Sequence, residues 1–287
     1  MNCQIQLSIR DLCVRYGLNS VLNQLSFDLL PGEVMCIIGP NGSGKSTLIK
    51  TLAGIISSHT GSIAINGASV DTYSKNHIAQ LIGYVPQDFQ FLTSITVLEA
   101  VILGRRPHVG WSLTSKDLQI VQNAMEKVQI SSMAEKLLTE LSGGERQRVF
   151  IARALAQEPR IFLFDEPTSA LDIRHQIEVF SMIREISQNQ GRSVLVAVHD
   201  LNFAYHYANR VMLIDEGKIM SIGSAEEVMT EENIRSVYGV SMQLVNSRND
   251  TFLLPVWDHG NPSEPNSSES SHCMNFLEIE PTAKTLA

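Results

Sequence analysis

Cysteine is scarce in this sequence, long apolar runs are missing, and basic residues are outnumbered; each shortage closes off a class of protein. Cys3, Cys13, Cys36 and Cys273 lie far apart with no Cys-x-x-Cys pair, so neither a disulfide framework nor a zinc site is indicated, and free thiols in a reducing compartment are expected. The apolar stretches Ile161-Phe162-Leu163-Phe164 and Val194-Leu195-Val196-Ala197-Val198 have the length of strands, whereas a spanning helix needs about 18 nearly uninterrupted apolar residues. Met1-Asn2-Cys3-Gln4-Ile5 lacks the basic flank and apolar block of a signal peptide, and the expectation is a chain that is not exported. With 22 Lys and Arg against 30 Asp and Glu, the formal charge is −8. No nucleic acid is expected as a partner, because neutralising phosphates takes a basic face. Apolar material is ample: 44% of the 287 residues are hydrophobic, enough for a substantial core.

β-like runs at 4–9, 25–29, 33–38 and 62–65 crowd the first 70 residues, and the middle of the chain turns to helical periodicity. From Ser115 onward, Leu118, Val121, Met125 and Val128 recur at three- and four-residue spacings. That is the stripe of an amphipathic helix, with Ser115 as its expected N-cap. Strand-like runs at 161–165 and 193–198 flank a helix-like stretch at 173–188, the unit of a parallel sheet covered on both faces. No repeat of solenoid length is evident. The segment 258–287 is rich in Ser and Pro, with five acids and the single base Lys284; it reads as a disordered tail whose His259, His272 and Cys273 are scattered donors rather than a metal site.

Three clusters carry chemistry. The apolar Val34 to Ile38 run flows into Gly39-Pro40-Asn41-Gly42-Ser43-Gly44-Lys45-Ser46-Thr47 and then a helix-like stretch, which is G-x-x-x-x-G-K-S in strand-loop-helix context. Its glycines let backbone N–H groups curve around a phosphate, the helix start adds positive potential, Lys45 reaches the β- and γ-phosphates, and Ser46 is placed to ligate Mg²⁺. A dinucleotide-binding loop fits worse, since Thr47 stands where a third glycine belongs. The second cluster, Ile161-Phe162-Leu163-Phe164-Asp165-Glu166, delivers two acids to the carboxyl edge of a sheet, Asp165 toward Mg²⁺ and Glu166 toward a water at the γ-phosphate. Joined to the phosphate loop, it reads as a nucleotide hydrolase. In the third, Leu141-Ser142-Gly143-Gly144-Glu145-Arg146-Gln147-Arg148 opens a helix with Phe150, Ile151, Ala154 and Leu155 on one face. Ser142 and Glu145 match a capping box. Capping alone does not require the two glycines, which permit close approach to an anion. One chain thus carries two anion-binding helix starts.

The run from Leu141 to Gln147 resembles the signature of ATP-binding cassette (ABC) ATPases, and the other motifs of that family follow in order. Tyr16 resembles the aromatic that stacks on adenine, Gln87 in Tyr84-Val85-Pro86-Gln87 the Q-loop glutamine, Ser169-Ala170-Leu171-Asp172 the D-loop, and His199 the switch histidine. The likeness covers about 5–256. It implies an α/β P-loop NTPase core with an N-terminal antiparallel β subdomain and an inserted helical subdomain at about 90–157, in a nucleotide-binding domain spanning 1–257. It implies ATP held by Tyr16, Gly39, Pro40, Asn41, Gly42, Ser43, Gly44, Lys45, Ser46 and Thr47, with Glu166, His199, Gln87 and Lys45 catalytic and Ser46, Gln87 and Asp165 around Mg²⁺. Ser142, Gly143, Gly144 and Asp172 would close on the ATP of the opposite chain in a head-to-tail homodimer or pseudo-symmetric dimer. Each assignment has a plainer alternative: Tyr16 as an ordinary aromatic, Gln87 as a solvated loop residue, His199 satisfied by a local hydrogen bond, Asp172 as the N-cap of the helix from Ile173.

A single cassette without a membrane span resembles the energising subunit of a multi-subunit transporter. Such a subunit sits at the cytoplasmic face of the membrane against an integral permease and acts indirectly with an external substrate-binding protein. Gly104-Arg105-Arg106-Pro107-His108, Ser115-Lys116-Asp117, Ile173-Arg174-His175-Gln176 and Val237-Tyr238-Gly239-Val240 are similar to stretches of iron-siderophore, haem and cobalamin importers. A zinc or manganese importer is the alternative, then a soluble ABC ATPase of DNA maintenance or translation, then a nucleotide-dependent scaffold. The permease-gripping surface is expected around 87–111, with Phe89, Phe91 and Leu92 as apolar contacts and Arg105, Arg106 and His108 as polar ones.

Overall fold

Three strands buried at every position, Val34–Ile38, Ile161–Asp165 and Ser193–Ala197, run through the middle of the fold. The structure is a computed structural model, and it describes residues 6–57, 59–87, 95–110, 112–168, 171–247 and 250–256. These lie in one unit, Met1–Val256. The expectations for 258–287, for Phe89, Phe91 and Leu92, and for Ser169 and Ala170 of the D-loop fall outside the described residues.

In chain order the elements are β1 (Leu7–Tyr16), β2 (Asn19–Leu29), β3 (Val34–Ile38), α1 (Lys45–Leu52), β4 (His59–Ile65), β5 (Ala68–Ser69), α2 (Lys75–Leu81) and β6 (Ile82–Val85). Next come α3 (Val97–Ile102), α4 (Ser115–Lys127), α5 (Gly143–Ala156), β7 (Ile161–Asp165), α6 (Ile173–Gln190), β8 (Ser193–Ala197) and α7 (Leu201–Tyr207). The described chain ends with β9 (Arg210–Asp215), β10 (Lys218–Gly223), α8 (Ala225–Val228), α9 (Glu231–Tyr238), β11 (Met242–Ser247) and β12 (Asp250–Pro255). The central sheet has the order β10-β9-β3-β8-β7-β6, parallel except for the β9–β10 edge pair. A second sheet, β2-β1-β4-β5, is antiparallel. This is an α/β fold with an N-terminal antiparallel β portion and helices between β6 and β7.

The central strands are apolar throughout because their alternate residues feed two cores. Val34, Cys36 and Ile38 of β3, with Phe162 and Phe164 of β7, face the core built with α3 to α9. Met35 and Ile37, with Ile161 and Leu163, face the other, shared with β1, β2, β4 and α1. The phosphate loop leaves the carboxyl end of the middle strand, between these layers.

Several local expectations need correction. Helix α4 is capped by Thr114, not Ser115: Thr114 Oγ1 accepts from Asp117 N, and Asp117 Oδ2 accepts from Thr114 N at 3.0 Å. The acid three residues after Thr114 closes a reciprocal box that Ser115 has no partner to match. Val121, Met125 and Val128 are buried as expected, but Leu118 lies half-exposed off the stripe. Strand β1 runs on to Tyr16 through register shifts after Ile9 and Leu12, and these bulges break the two-residue alternation. Arg105 is not a surface contact. It is 5% exposed, its Nε donating to Asp117 Oδ1 at 2.9 Å and its Nη1 to Ala156 O at 2.7 Å and Glu158 Oε2 at 2.9 Å. Two importer-like stretches, around Gly104 and around Ser115, are therefore tied together inside the protein. His108 bonds Gln157 O at 2.8 Å yet stays exposed, as does Arg106. No described helix is long and apolar enough to cross a membrane.

Candidate active site

Only glycine fits at two places in the loop between β3 and α1. A Cβ at Gly39 would sit 2.1 Å from Ile214 O of β9, and Gly44, at φ +107°, would press one to 2.7 Å from Leu22 Cδ2. Gly44 caps α1 with no side-chain hydrogen bond, so the first N–H groups of that helix are left for an outside acceptor, where an anion also gains from the helix field. Lys45 is buried and donates from Nζ to Gly39 O at 2.7 Å and Pro40 O at 3.0 Å. Burial lowers its pKa, while Glu166 and Asp165 pull it back up.

Ser46 Oγ donates to Asp165 Oδ1 at 2.7 Å. Asp165 ends β7 and is 1% exposed. Burial pushes its carboxyl up, against the Ser46 hydrogen bond and the Lys50 charge. Its other oxygen, Oδ2, is buried without a hydrogen-bond partner. Glu166 leaves the strand at φ +51°, its N–H donating to Ala197 O at 3.2 Å. That turn carries its carboxylate away from Asp165's position: Oε2 accepts from Gln87 Nε2 and stands 2.7 Å from His199 Nε2. Glu166 is buried while the His199 side chain is 46% exposed, so the pair reaches from the protein interior to solvent.

A cavity of about 530 Å³ is lined by Tyr16, Val21, Asn41, Gly42, Gly44, Lys45, Ser46, Thr47, Gln87, Glu166 and His199. The structure thus brings together most residues singled out in the sequence, including Tyr16, which is half-exposed at the end of β1. Gly39, Pro40 and Ser43 belong to the loop without lining the cavity, and Asp165 meets it through Ser46. The Gln87 amide nitrogen engages Glu166, so its oxygen is the atom able to ligate a cation. Sequence reasoning missed Val21, and also Lys50, which lies one helical turn beyond Ser46 on α1; the i, i+4 spacing was the available signal.

Four more of these residues, on α5 and α6, lie apart from both the loop and the cavity. Ser142 opens α5, donating from Oγ to Glu145 Oε2 at 2.7 Å and from N to the same oxygen at 2.8 Å. Gly143 and Gly144 follow it in the first turn. Asp172 caps α6, accepting from His175 N at 2.9 Å and pairing with His175 Nδ1 at 2.7 Å. The backbone bond from His175 is the main reason its carboxyl titrates below its usual range. Within one chain Ser142 and Asp172 are helix caps, and Gly143 and Gly144 begin α5.

A family model described as ABC transporter matches residues 22–169. An ABC transporter ATP-binding protein of Methanocaldococcus jannaschii is 38% identical over 250 residues, covering 87% of this chain and 98% of that protein. The iron(3+)-hydroxamate import ATP-binding protein of Bacillus subtilis is 36% identical over 241 residues, 83% of this chain and 90% of its own. The hemin import ATP-binding protein of Gloeobacter violaceus is 38% identical, with 79% and 85% covered. Among solved structures, an inward-facing transporter assigned to the metal-chelate ABC type superposes with a TM-score of 0.77 at 31% identity, covering 89% of this chain and 98% of that one. A dimeric bacterial ABC transporter cassette superposes with a TM-score of 0.70 at 25% identity, covering 76% and 98%.

Proposed function

Because the chain belongs to the ABC transporter family, as an ATP-binding, ATP-hydrolysing subunit, we propose that it powers the import of a metal chelate (iron-siderophore, haem or cobalamin) through a membrane permease. The observation that carries the chemistry is the Glu166 carboxylate, held by Gln87 and His199 over the same cavity as the phosphate loop. The substrate class is supported by relatives named as importers of iron(3+)-hydroxamate, hemin and ferric enterobactin.

In this reading Tyr16 stacks on the adenine, and the amides from Gly42 to Thr47 cradle the phosphates. Lys45 exchanges the carbonyls of Gly39 and Pro40 for the β- and γ-phosphates. The donors fit Mg²⁺: Ser46 Oγ, the orphaned Asp165 Oδ2 and the Gln87 amide oxygen are hard oxygen ligands, few enough to leave room for phosphate and water. Bound there, the ion would neutralise charge on the β- and γ-oxygens. Glu166 polarises the attacking water, and His199 orients that carboxylate and steadies the γ-phosphate. Ser142, Gly143, Gly144 and Asp172 serve the ATP of a second copy, so that ATP binding closes a dimer and hydrolysis opens it, driving the permease through differential affinity. The subunit works peripherally at the cytoplasmic face, with an external binding protein acting indirectly.

The test is to co-purify the chain with its permease, reconstitute the complex in vesicles, and screen ferric siderophores, haem, cobalamin, Zn²⁺ and Mn²⁺ for ATP-dependent uptake. Uptake of one chelate, with ATP turnover raised by its loaded binding protein, is the expected result. Uptake of a free divalent ion with no response to any chelate would replace the substrate class and leave the ATPase reading intact.

A further inference from the structure

The first turn of α6 is the stretch Ile173-Arg174-His175-Gln176, and the mechanism above uses none of its side chains. Arg174 Nε donates to Glu178 Oε1 at 3.1 Å along the helix, an exposed pair of little energetic weight. His175 and Gln176 instead reach back to the residues before the helix. Gln176 Nε2 donates to Thr168 O at 3.1 Å, the same carbonyl that accepts from Leu171 N at 3.1 Å. His175 Nδ1 stands 2.7 Å from Asp172 Oδ1, and the His175 N–H donates to that oxygen at 2.9 Å. The N–H bond alone would cap the helix, so the imidazole bond is an addition. Both bonds fall on Oδ1 of a side chain that is 66% exposed, and Oδ2 makes no bond among the described residues. Next to it, Leu171 packs against the start of α5: a Cβ on Gly144 would lie 3.0 Å from Leu171 Cδ2. The two stretches assigned to the ATP of a second copy therefore meet within one chain.

We propose that His175 is a positioning residue for ATP hydrolysis: with Gln176 fastening Thr168, it fixes the Asp172 carboxylate so that Oδ2 is presented to the nucleotide site of a second copy. A carboxylate held by one bond can pivot about its side-chain torsions, and ordering it when the second chain arrives costs free energy. Two donors on one oxygen remove that pivot beforehand. The imidazole can donate from Nδ1 both neutral and protonated. The inference rests on Asp172 serving the ATP of a second copy, and the test separates the two.

The test measures kcat of the full chain at saturating ATP and at chain concentrations where the rate per chain has levelled off, for His175→Ala, His175→Asn, Asp172→Ser and the double variant His175→Ala/Asp172→Ser. His175→Ala is expected to lower kcat about three- to tenfold, the share of one hydrogen bond, with the ATP Kd of the dilute chain within about twofold. His175→Asn should restore most of the rate, because its amide nitrogen is as many bonds from Cβ as Nδ1 is. Asp172→Ser keeps a good cap and removes the carboxylate; it should lower kcat at least as far, and adding His175→Ala to it should cost nothing more. A parental kcat in His175→Ala, an equal loss in His175→Asn, or an undiminished effect of His175→Ala on top of Asp172→Ser would overturn the proposal and leave His175 a surface residue of the helix start. A parental kcat in Asp172→Ser would instead remove Asp172 from the second copy's site, and the positioning role would fall with it.

Discussion

Glu166 and Asp165 are neighbours with different surroundings, and the difference sets their chemistry. Asp165 is still in the strand, buried against Ser46, while the positive φ of Glu166 swings its carboxylate to Gln87 and His199. Glu166→Gln keeps the size of the side chain and removes the base. It should still bind Mg-ATP while phosphate release falls by about a hundredfold or more, the scale of a general base; turnover at the parental rate would remove Glu166 from its role. Asp165 makes the opposite trade with stability. Burial raises its folded pKa above the unfolded value, so at neutral pH the ionised carboxylate subtracts from stability, and the penalty disappears as pH falls below that value. Asp165→Asn should therefore melt higher than the parent without nucleotide, while Mg²⁺-dependent hydrolysis drops by about two orders of magnitude. A lower melting temperature would contradict the burial argument. Both acids were legible from the strand-then-acid pattern. The turn at Glu166 was legible from Pro167; its positive φ and the Lys45 contacts with Gly39 and Pro40 were not, because backbone conformation and side-chain reach depend on neighbours brought from other strands.

Elements were legible where one period ran unbroken. Strand β7 lies where the apolar run predicts it, and α6 matches its predicted helix with a slightly later end. The period fails in β1, where bulges shift the buried set from Leu7 and Ile9 to Leu12 and Val14, and at α4, where two adjacent hydroxyls compete to cap. Arg105 shows a different limit: a basic residue in a loop-like stretch suggests a surface, yet the fold uses it to tie the start of α4 to the end of α5. Asp117 anchors that tie. The hydrogen bonds of Thr114, then Arg105, hold its carboxyl at about 2 instead of 3.8. Since the folded value is the lower one, its stabilisation is fully present above about pH 4 and is lost as pH falls through 2. Asp117→Asn should consequently be less resistant to urea than the parent at pH 7, with the gap narrowing at pH 3. A gap independent of pH would mean that the carboxylate charge contributes nothing.

At the scale of the molecule, the two glycine-bearing helix starts posed a question that the fold sharpens. The phosphate loop lines a cavity with Gln87, Glu166 and His199, whereas Ser142 to Gly144 cap α5 outside it. The sequence could point to both candidate anion sites because each is a local pattern. It could not reveal from spacing alone that they fail to meet within one chain, since that depends on how the helical elements dock on the sheet. A second copy supplies what each chain lacks in this account, in keeping with the likeness to a dimeric cassette. If Ser142 serves only the partner's nucleotide, Ser142→Arg should abolish hydrolysis while ATP binding, measured by calorimetry, stays within about twofold. The most direct test is the rate of phosphate release per chain, followed across a dilution series of the purified protein. With a shared site, the rate per chain rises with concentration and reaches a plateau once dimers form. A rate per chain that stays constant down to dilutions where only monomers exist would contradict the shared site.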